Sequence, residues 1–430
     1  MVQWRARRFV EIFRRRSFRR FWLGYTGSLL GDAMTRVALV WFVYERTRSA
    51  PAVGWLMLCY TGPVVVSGFL AGLLLDRFGR RRVMIADAMV RGLTMAAIPL
   101  LHAAGALALW HVYAAAVVYG LLMMISLAGG PALVPSLVRP EHLATANALE
   151  MLGFTTVGVV GPPLAGWLLT WMAGPNLLVL DALSYGAFAL TLASLGPLEA
   201  GRPARGTEGA GARHHLGEAV RLLVGSPVLL ATTVMFLAYN VGNGALSVWL
   251  PVMADRVLGG GSRLYGGLLG AMAAGQVASA LLAGGVTVPV SLGLLICAAQ
   301  ALAGVALLLL LLLGGGVWGA AGCLVLYGAA SAPLTIWAQT LRMRIIPEAL
   351  RGRAFALLRM LMQGGAPIGG ALAGWLLPVL GIPALIAWSA AFAGVPGLLG
   401  ARVGALRRAG APGDARGAAA SGSHAAEPGR

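Results

Sequence analysis

Charged side chains within long apolar runs are the residues of this chain whose types and spacing could do chemistry. Asp32 lies in the first such run with Arg36 four residues later, and Asp87 and Arg91 repeat the spacing. Residues four apart share one face of an α-helix. Burial and a nearby guanidinium have opposite effects on how readily a carboxyl group holds its proton. An Asp32–Arg36 pair disturbed by a bound substrate could therefore exchange a proton, and a permanent structural pair is the alternative.

Polar residues in the second half of the chain extend this set. Arg359 and Gln363 are one helical turn apart, and Arg359 could meet an anionic substrate or pair across helices. Asn240 could line a polar pathway, which makes Asp32, Arg36, Asn240, Arg359 and Gln363 the candidate proton-coupling or substrate residues. For Asp87 and Arg91 a structural or gating pair is expected. We expect no enzyme, cofactor or metal site, since the chain has no phosphate-binding loop and its histidines lack metal-ligand neighbours.

The composition indicates that a bilayer is the solvent of these residues. The chain is 58% hydrophobic and only 11% charged, with a mean hydropathy of +0.80, whereas soluble domains carry about 25% charged residues. Ionisable groups inside membrane spans are costly and are therefore functional candidates. The net charge of +18 could suggest nucleic acid. Because the arginines lie between apolar runs, membrane topology explains the charge better and no nucleic acid is expected.

The apolar runs predict an all-α membrane protein. A helical span needs about 20 mostly apolar residues, and helices satisfy backbone groups in lipid within their own segment. The sequence predicts twelve spans, at about 21–44, 52–75, 83–103, 111–137, 144–171, 177–196, 227–253, 264–285, 289–313, 317–341, 354–377 and 381–402.

The arginines predict how these spans are oriented. Between the spans, 26 arginines fall on one side of the membrane and four on the other. The excess of positive charge marks the cytoplasmic side. We therefore expect a multi-pass protein of the cell (cytoplasmic or inner) membrane with both termini in the cytoplasm.

Polar stretches divide the chain into predicted regions. We expect two six-helix halves flanked by non-spanning segments, since the longest polar interruption lies at mid-chain and both ends are rich in charged or small residues. The predicted regions are a cytoplasmic amphipathic N-terminal segment at 1–20, a first half at 21–196, a cytoplasmic linker at 197–226, a second half at 227–404 and a disordered cytoplasmic tail at 405–430.

A repeated hexapeptide indicates that the two halves are copies of one unit. LAGWLL occurs at 164–169 and again at 372–377, and Val40-Trp41 recurs at the same spacing as Val248-Trp249. A six-span unit returns the chain to its starting side, so two copies in series are parallel repeats. Transporters built from such repeats bind substrate between the halves, near the membrane midplane.

The connection between the second and third spans carries the most specific motif. Gly72-Leu-Leu-Leu-Asp76-Arg77-Phe78-Gly79-Arg80 closely resembles the charged loop of the major facilitator superfamily. The glycines would permit close helix packing and a tight turn. The resemblance implies that the aspartate contacts the start of span 11 and that the arginines pair with nearby acids to close a gate. The candidate gating residues are Gly72, Asp76, Arg77, Gly79, Arg80, Asp87 and Arg91.

Further phrases narrow the resemblance. Gly161-Pro162 in span 5 is similar to the helix-kinking Gly-Pro motif of superfamily antiporters, although Ala165-Gly166 stands where that pattern has Gly-Gly. Three phrases resemble the macrolide-efflux and enterobactin-exporter branch, a drug:proton antiporter branch. They are Ser28-Leu-Leu-Gly31-Asp32 in span 1, Asp87-Ala-Met-Val-Arg91 in span 3 and Leu180-Asp181-Ala-Leu-Ser184-Tyr185 in span 6.

The resemblance implies proton-coupled export of small amphipathic molecules (drug, antibiotic or siderophore) by alternating access. Its partners would be a small-molecule substrate, protons and the lipid bilayer, and the protein is expected to be a monomer. An importer or facilitator of the same fold, or a non-transporting membrane receptor or scaffold, remains open.

Overall fold

The computed structural model describes residues 11–139, 142–195, 212–285, 290–347 and 351–411. These residues form helices joined by short connections, and no β-strand occurs among them, which confirms the all-α expectation. The first seven helices are α1 (Arg16–Thr47), α2 (Ala50–Thr61), α3 (Val64–Phe78), α4 (Arg80–Ala103), α5 (Leu109–Leu133), α6 (Leu143–Leu168) and α7 (Gly174–Ser194). The others are α8 (Ala212–Gly225), α9 (Pro227–Val252), α10 (Gly261–Gly285), α11 (Leu292–Leu313), α12 (Val317–Ile345), α13 (Arg351–Gln363), α14 (Gly365–Gly400) and α15 (Gly404–Arg408).

The twelve predicted spans are all present. Ten helical stretches of the described chain are long and apolar enough to cross a membrane, one of them combining α2 with α3 across the Gly62–Pro63 break. The tenth stretch, Leu357–Gly400, contains two crossings because Gly381 leaves the helical conformation with φ 76° and ψ 171°. The remaining crossing is α1, which is 32 residues long but carries charged residues such as Asp32 and Arg36 that lower its hydropathy.

Part of the predicted linker at 197–226 is helical instead. Helix α8 packs on the second half, where Leu223 joins a buried cluster with Ile346, Leu357 and Leu358. The described end of the predicted linker is thus a helix whose apolar side chains cover this cluster, and the assignment of 197–226 as the connection between the halves stays a prediction. Residues 196–211 lie outside the described part of the chain.

The predicted tail at 405–430 also begins with folded structure. Leu406 on α15 is fully buried, and the backbone N–H of Gly293 donates to the carbonyl of Ala409. The tail prediction was therefore wrong for residues 405–411, while 412–430 lie outside the described residues. At the other terminus α1 already begins at Arg16, within the predicted amphipathic segment 1–20, of which residues 1–10 are not described.

The spanning helices pack as two groups, α1–α7 and α9–α14. The N-terminal start of α1, the α3–α4 turn and the C-terminal end of α12 lie at one end of the bundle, which we call the arginine-rich end. The α1–α2 connection and the turn at Gly381 lie at the other, the arginine-poor end. Between the groups, the main helix contacts are α2 with α14 and α6 with α10.

The two LAGWLL copies lie at these two crossings. Gly166 on α6 faces Gly266 on α10, and a Cβ placed on Gly166 would lie 2.6 Å from the Cα of Gly266. Gly374 on α14 faces Gly54 on α2, with a corresponding distance of 2.9 Å. Both distances are well below an ordinary carbon–carbon contact of about 3.5 Å. The repeated hexamer therefore supplies the glycine that lets each half approach the other.

A valine at Gly166 should disrupt the α6–α10 crossing. Overpacking of this kind costs about 1–3 kcal/mol, so Gly166→Val should lower the thermal unfolding temperature of the purified protein in detergent. Gly158→Val on the same helix is the matched control, since nothing lies within 4 Å of a Cβ placed there. Equal unfolding temperatures for the two variants would contradict the crossing as a tight contact.

A buried charge cluster as the candidate functional site

Arg91 on α4 is the centre of a buried charge cluster. Its side chain is 1% exposed, and its Nε and Nη2 donate to the two carboxylate oxygens of Asp87 at 2.9 and 2.7 Å. The helical spacing places both residues on one face, so the pair expected from the sequence is formed. A guanidinium and a carboxylate that meet in this two-bond geometry form one of the stronger charge-assisted contacts.

Three further helices supply the rest of the cluster. Ser126 on α5 accepts a hydrogen bond from Arg91 Nη2 at 2.6 Å and donates to Asp87 at 2.7 Å. Asp32 on α1 lies 3.5 Å from Arg91 Nη1, which makes no hydrogen bond. The hydroxyl of Tyr185 on α7 donates to the other oxygen of Asp32. Helices α1, α4, α5 and α7 thus converge on one guanidinium.

The predicted Asp32–Arg36 pair is not formed. Arg36 is exposed and makes no ion pair with a carboxylate in the described part of the chain, while its charge acts on the buried hydroxyls of Tyr60 and Tyr265. A buried guanidinium such as Arg91 needs carboxylate partners, whereas the Arg36 side chain is exposed. The pairing predicted from the i,i+4 spacing is therefore present for Asp87 with Arg91 and absent for Asp32 with Arg36.

Aromatic rings surround the guanidinium. The Arg91 Cζ lies 4.6 Å from the ring centroid of Tyr185 and 5.4 Å from that of Tyr119. Tyr119 in turn stacks on Tyr60 at 4.7 Å, and the Tyr25 hydroxyl donates to the Ser126 carbonyl at 3.2 Å. Ring faces attract a cation that is removed from water. These tyrosines were missed at the sequence level, although Tyr185 belongs to one of the phrases that carried the family resemblance.

Asp181 is a second buried carboxylate beside the cluster. Its side chain accepts a hydrogen bond from Thr35 on α1 at 2.6 Å and another from Ser184 at 3.4 Å, and the residue is fully buried. Asp181 lies against α1, one turn of α7 from Tyr185. In the sequence, only the four-residue spacing of Asp181 and Tyr185 could have indicated that both side chains face α1.

The polar residues predicted in the second half do not join the cluster. The side-chain amide of Asn240 donates to the carbonyl of Phe236 on its own helix at 2.9 Å. Arg359 is exposed on α13, and Gln363 is partly buried at the end of that helix. No described hydrogen bond or ion pair links Arg359 or Gln363 to Asp32. Their assignment to substrate contact therefore stays a prediction.

The charged motif forms the turn between α3 and α4. Gly79 has φ 84° and ψ 138°, a conformation that favours glycine. Arg80 donates to the carbonyl of Ala132 near the end of α5 at 2.7 Å, and Arg81 donates to that of Leu192 near the end of α7 at 2.8 Å. Cations at helix C-termini satisfy free carbonyls and the helix dipole. These described contacts go to carbonyls, whereas the family resemblance implied pairing with acids.

Other residues of the motif contribute less to contacts. The guanidinium of Arg77 lies 5.4 Å from the centroid of the neighbouring Phe78 ring. No described atom lies within 4 Å of a Cβ placed on Gly72, so the described helices do not pack closely there. The side chain of Asp76 lies outside the described part of the structure, and its contact with span 11 stays a prediction.

The Gly161-Pro162 segment lies between α1 and α10. A Cβ on Gly161 would lie 2.6 Å from the Cβ of Ala33, and one on Gly270 would lie 2.6 Å from the Cγ of Pro163. Helix α6 continues through both prolines. The segment therefore packs the first half against the second, and its role as a kink stays a prediction.

Polar contacts also join the halves at the arginine-poor end. Arg48 after α1 forms an ion pair with Asp255 in the π-helical turn after α9, and the Tyr44 hydroxyl donates to the same carboxylate at 2.9 Å. Arg256 donates to the backbone carbonyl of Arg48 at 2.8 Å. The Tyr44 hydroxyl and the Asp255 carboxylate raise the pKa of the Arg48 guanidinium, which therefore stays charged. We call these four residues the latch. From the sequence, Arg48 and Arg256 had served only to predict the orientation of the spans.

Comparison with known proteins identifies the architecture. The family model described as Major Facilitator Superfamily matches residues 21–349, more than half of the chain. The chain belongs to the major facilitator superfamily. This superfamily assignment confirms the fold class predicted from the span count and the repeat.

Relatives within the superfamily share limited identity with the chain. An uncharacterized MFS-type transporter of Sinorhizobium fredii is 28% identical, with 82% of this chain and 86% of the relative covered. An enterobactin exporter of Escherichia coli is 27% identical over 84% and 85% of the two chains. A multidrug efflux pump of Mycolicibacterium fortuitum is 29% identical over 44% of this chain and 46% of its own length.

Solved transporter structures share the fold. A POT family transporter in complex with 5-aminolevulinic acid aligns with a TM-score of 0.69 and 13% identity, covering 89% of this chain and 95% of the other. At this identity the likeness concerns the fold alone.

Removing Asp87 should be more destabilising than removing Asp32. Asp87→Asn leaves the buried guanidinium with Asp32 at 3.5 Å as its nearest carboxylate, and breaking a buried pair costs about 3–5 kcal/mol. Asp32→Asn leaves the Asp87–Arg91 pair intact. Thermal and denaturant unfolding in detergent should show a large loss for Asp87→Asn and a small one for Asp32→Asn. The reverse order would contradict the described geometry.

Neutralising Asp255 should loosen the arginine-poor end. Asp255→Asn removes the ion pair with Arg48, which is exposed enough to contribute only about 0–1 kcal/mol, so folding should be retained while the halves separate more often. Spin labels at Trp171→Cys and Trp318→Cys, exposed residues of opposite halves near this end, should report longer distances in a background without native cysteines. Arg46→Gln on the last turn of α1 is the control. An unchanged distance distribution would rule out the latch.

Proposed function

We propose that this protein is a secondary active transporter that exports small amphipathic molecules in exchange for protons. The observation that carries the proposal is the arrangement of Asp32, which shares the Arg91 guanidinium with Asp87 inside the membrane. One guanidinium balances one carboxylate, so a proton on the second carboxylate brings the three groups to neutrality. Uncompensated charge is costly away from water, and occupancy of this proton would depend on whether the site is open to solvent.

Asp32 is the member of the trio that a proton can reach. Its side chain is 16% exposed, against 0% for Asp87 and 1% for Arg91. Asp87 would then be the permanent partner of Arg91 and Asp32 the exchanging group. A substrate that binds near Asp32 would displace the proton, which gives exchange of one for the other.

The direction of transport is supported by relatives rather than by geometry. The relatives from Escherichia coli and Mycolicibacterium fortuitum are named as an exporter and an efflux pump. We extend export to this chain, together with a cell-membrane location, cytoplasmic termini and a monomeric state. Rocking of α1–α7 against α9–α14 across the glycine crossings would open either end of the bundle in turn.

Proton exchange can be tested with purified protein in liposomes. Amphipathic dyes, macrolides and catecholate compounds would be supplied under an imposed pH gradient, while substrate and proton fluxes are followed by fluorescence. The unmodified protein should accumulate a substrate at the acidic side and release protons in exchange. Asp32→Asn should lose gradient-driven accumulation but retain passive exchange of the same substrate.

The matched control is Glu45→Gln, an exposed carboxylate on the same helix. Normal proton-driven transport by Asp32→Asn would remove Asp32 from the mechanism. Accumulation with the proton flux instead of against it would indicate an importer. Absence of any flux across the panel would favour a receptor or scaffold.

A further inference from the structure

A cleft on the surface of the first half opens between α3, α4 and α5. Its volume is about 400 Å³, and its wall is almost entirely apolar. Two charged residues line it, Arg82 and Asp87, and Asp87 is already paired with Arg91. Phe78 and Val90 on the wall are 53% and 46% exposed, so the cleft faces outward from the bundle. The cleft therefore opens on the outer surface of the bundle, and among the described side chains its one cation, Arg82, has no carboxylate partner.

The three consecutive arginines at the start of α4 differ in the contacts that their side chains make. Arg80 and Arg81 donate to backbone carbonyls at the ends of α5 and α7, as described above. Arg82 is exposed and makes no hydrogen bond or ion pair with a described residue. Its position in the first turn of α4 sets it at the arginine-rich end, where an arginine at the boundary of an apolar bundle meets lipid headgroups.

We propose that this cleft binds an anionic phospholipid. One acyl chain lies along the apolar wall, and the headgroup phosphate pairs with the Arg82 guanidinium. Basic residues next to intramembrane grooves recognise anionic headgroups through this charge complementarity, and guanidinium geometry suits phosphate oxygens. Leu122 and Ile125 on α5 contact the chain from one side and Leu74 on α3 from the other.

A neighbouring apolar groove differs from the α3–α5 cleft in its lack of a cation. Between α4 and α7 lies a larger groove of about 610 Å³, and none of the described residues that line it is charged. Apolar area without a cation can hold acyl chains but cannot distinguish headgroups. Headgroup selectivity therefore belongs to the α3–α5 cleft and not to the α4–α7 groove.

The test compares lipid binding by full-length variants in detergent. Native mass spectrometry would measure retention of phosphatidylglycerol against phosphatidylcholine with identical chains. The unmodified protein should retain phosphatidylglycerol preferentially. Arg82→Gln should reduce that preference about fivefold, the effect expected for one arginine near an anionic surface. Arg20→Gln, an exposed arginine on α1 at the same end, should leave the preference unchanged.

A second pair of variants tests the acyl-chain position. Ala86→Trp fills the α3–α5 cleft from α4 and should abolish the preferential retention of phosphatidylglycerol. Ala96→Trp fills the α4–α7 groove and should leave that preference unchanged. Thermal unfolding checks that each variant is folded. Glycerophosphoglycerol, the headgroup without chains, should fail to compete.

Three results would contradict lipid binding in the α3–α5 cleft. They are equal retention of both lipids by the unmodified protein, equal losses for Arg82→Gln and Arg20→Gln, and full retention of phosphatidylglycerol by Ala86→Trp. Competition by the free headgroup would assign the contact to a soluble phosphate compound instead and would also count against a lipid site.

Discussion

Burial of the Arg91 guanidinium is the constraint on which the packing of the first half depends. A charge that is 1% exposed is tolerated only when carboxylates and hydrogen-bond acceptors surround it. Asp87 meets this need within α4, and Ser126 and Asp32 meet it from α5 and α1. Helices in lipid gain little hydrophobic energy from meeting one another, so contacts of this kind select which faces pack together.

Contacts between the halves are of a different kind. The α2–α14 and α6–α10 crossings rest on facing glycines, which bring the backbones of the two halves close together. Polar contact is concentrated in the latch, where Asp255 meets two residues of the first half. Among the described residues, the first half is thus held together by buried charge, whereas the hydrogen bonds and the ion pair between the halves lie in the latch. The proposed rocking of the two halves would need this contrast.

Contacts between residues close together in the chain could be predicted from the sequence, whereas contacts between different helices could not. The Asp87–Arg91 pair was predictable because helical geometry alone brings residues four apart together. The Asp32–Arg91 pair and the Thr35–Asp181 hydrogen bond join different helices. Their helices are apolar on nearly every face, so periodicity does not tell which face turns inward. The latch was missed for the same reason, and its arginines carried only the topological signal.

The sequence by itself determined the solvent, the number of crossings, the parallel repeat and the superfamily. These follow from composition, run length and local motifs, which act within one helix or turn. Only the tertiary structure decided that Asp32 serves Arg91 and not Arg36, that each LAGWLL glycine faces a glycine of the other half, and that Arg82 lines a cleft. Such choices depend on how helices rotate against one another, because a side chain's partner is set by the face its helix presents.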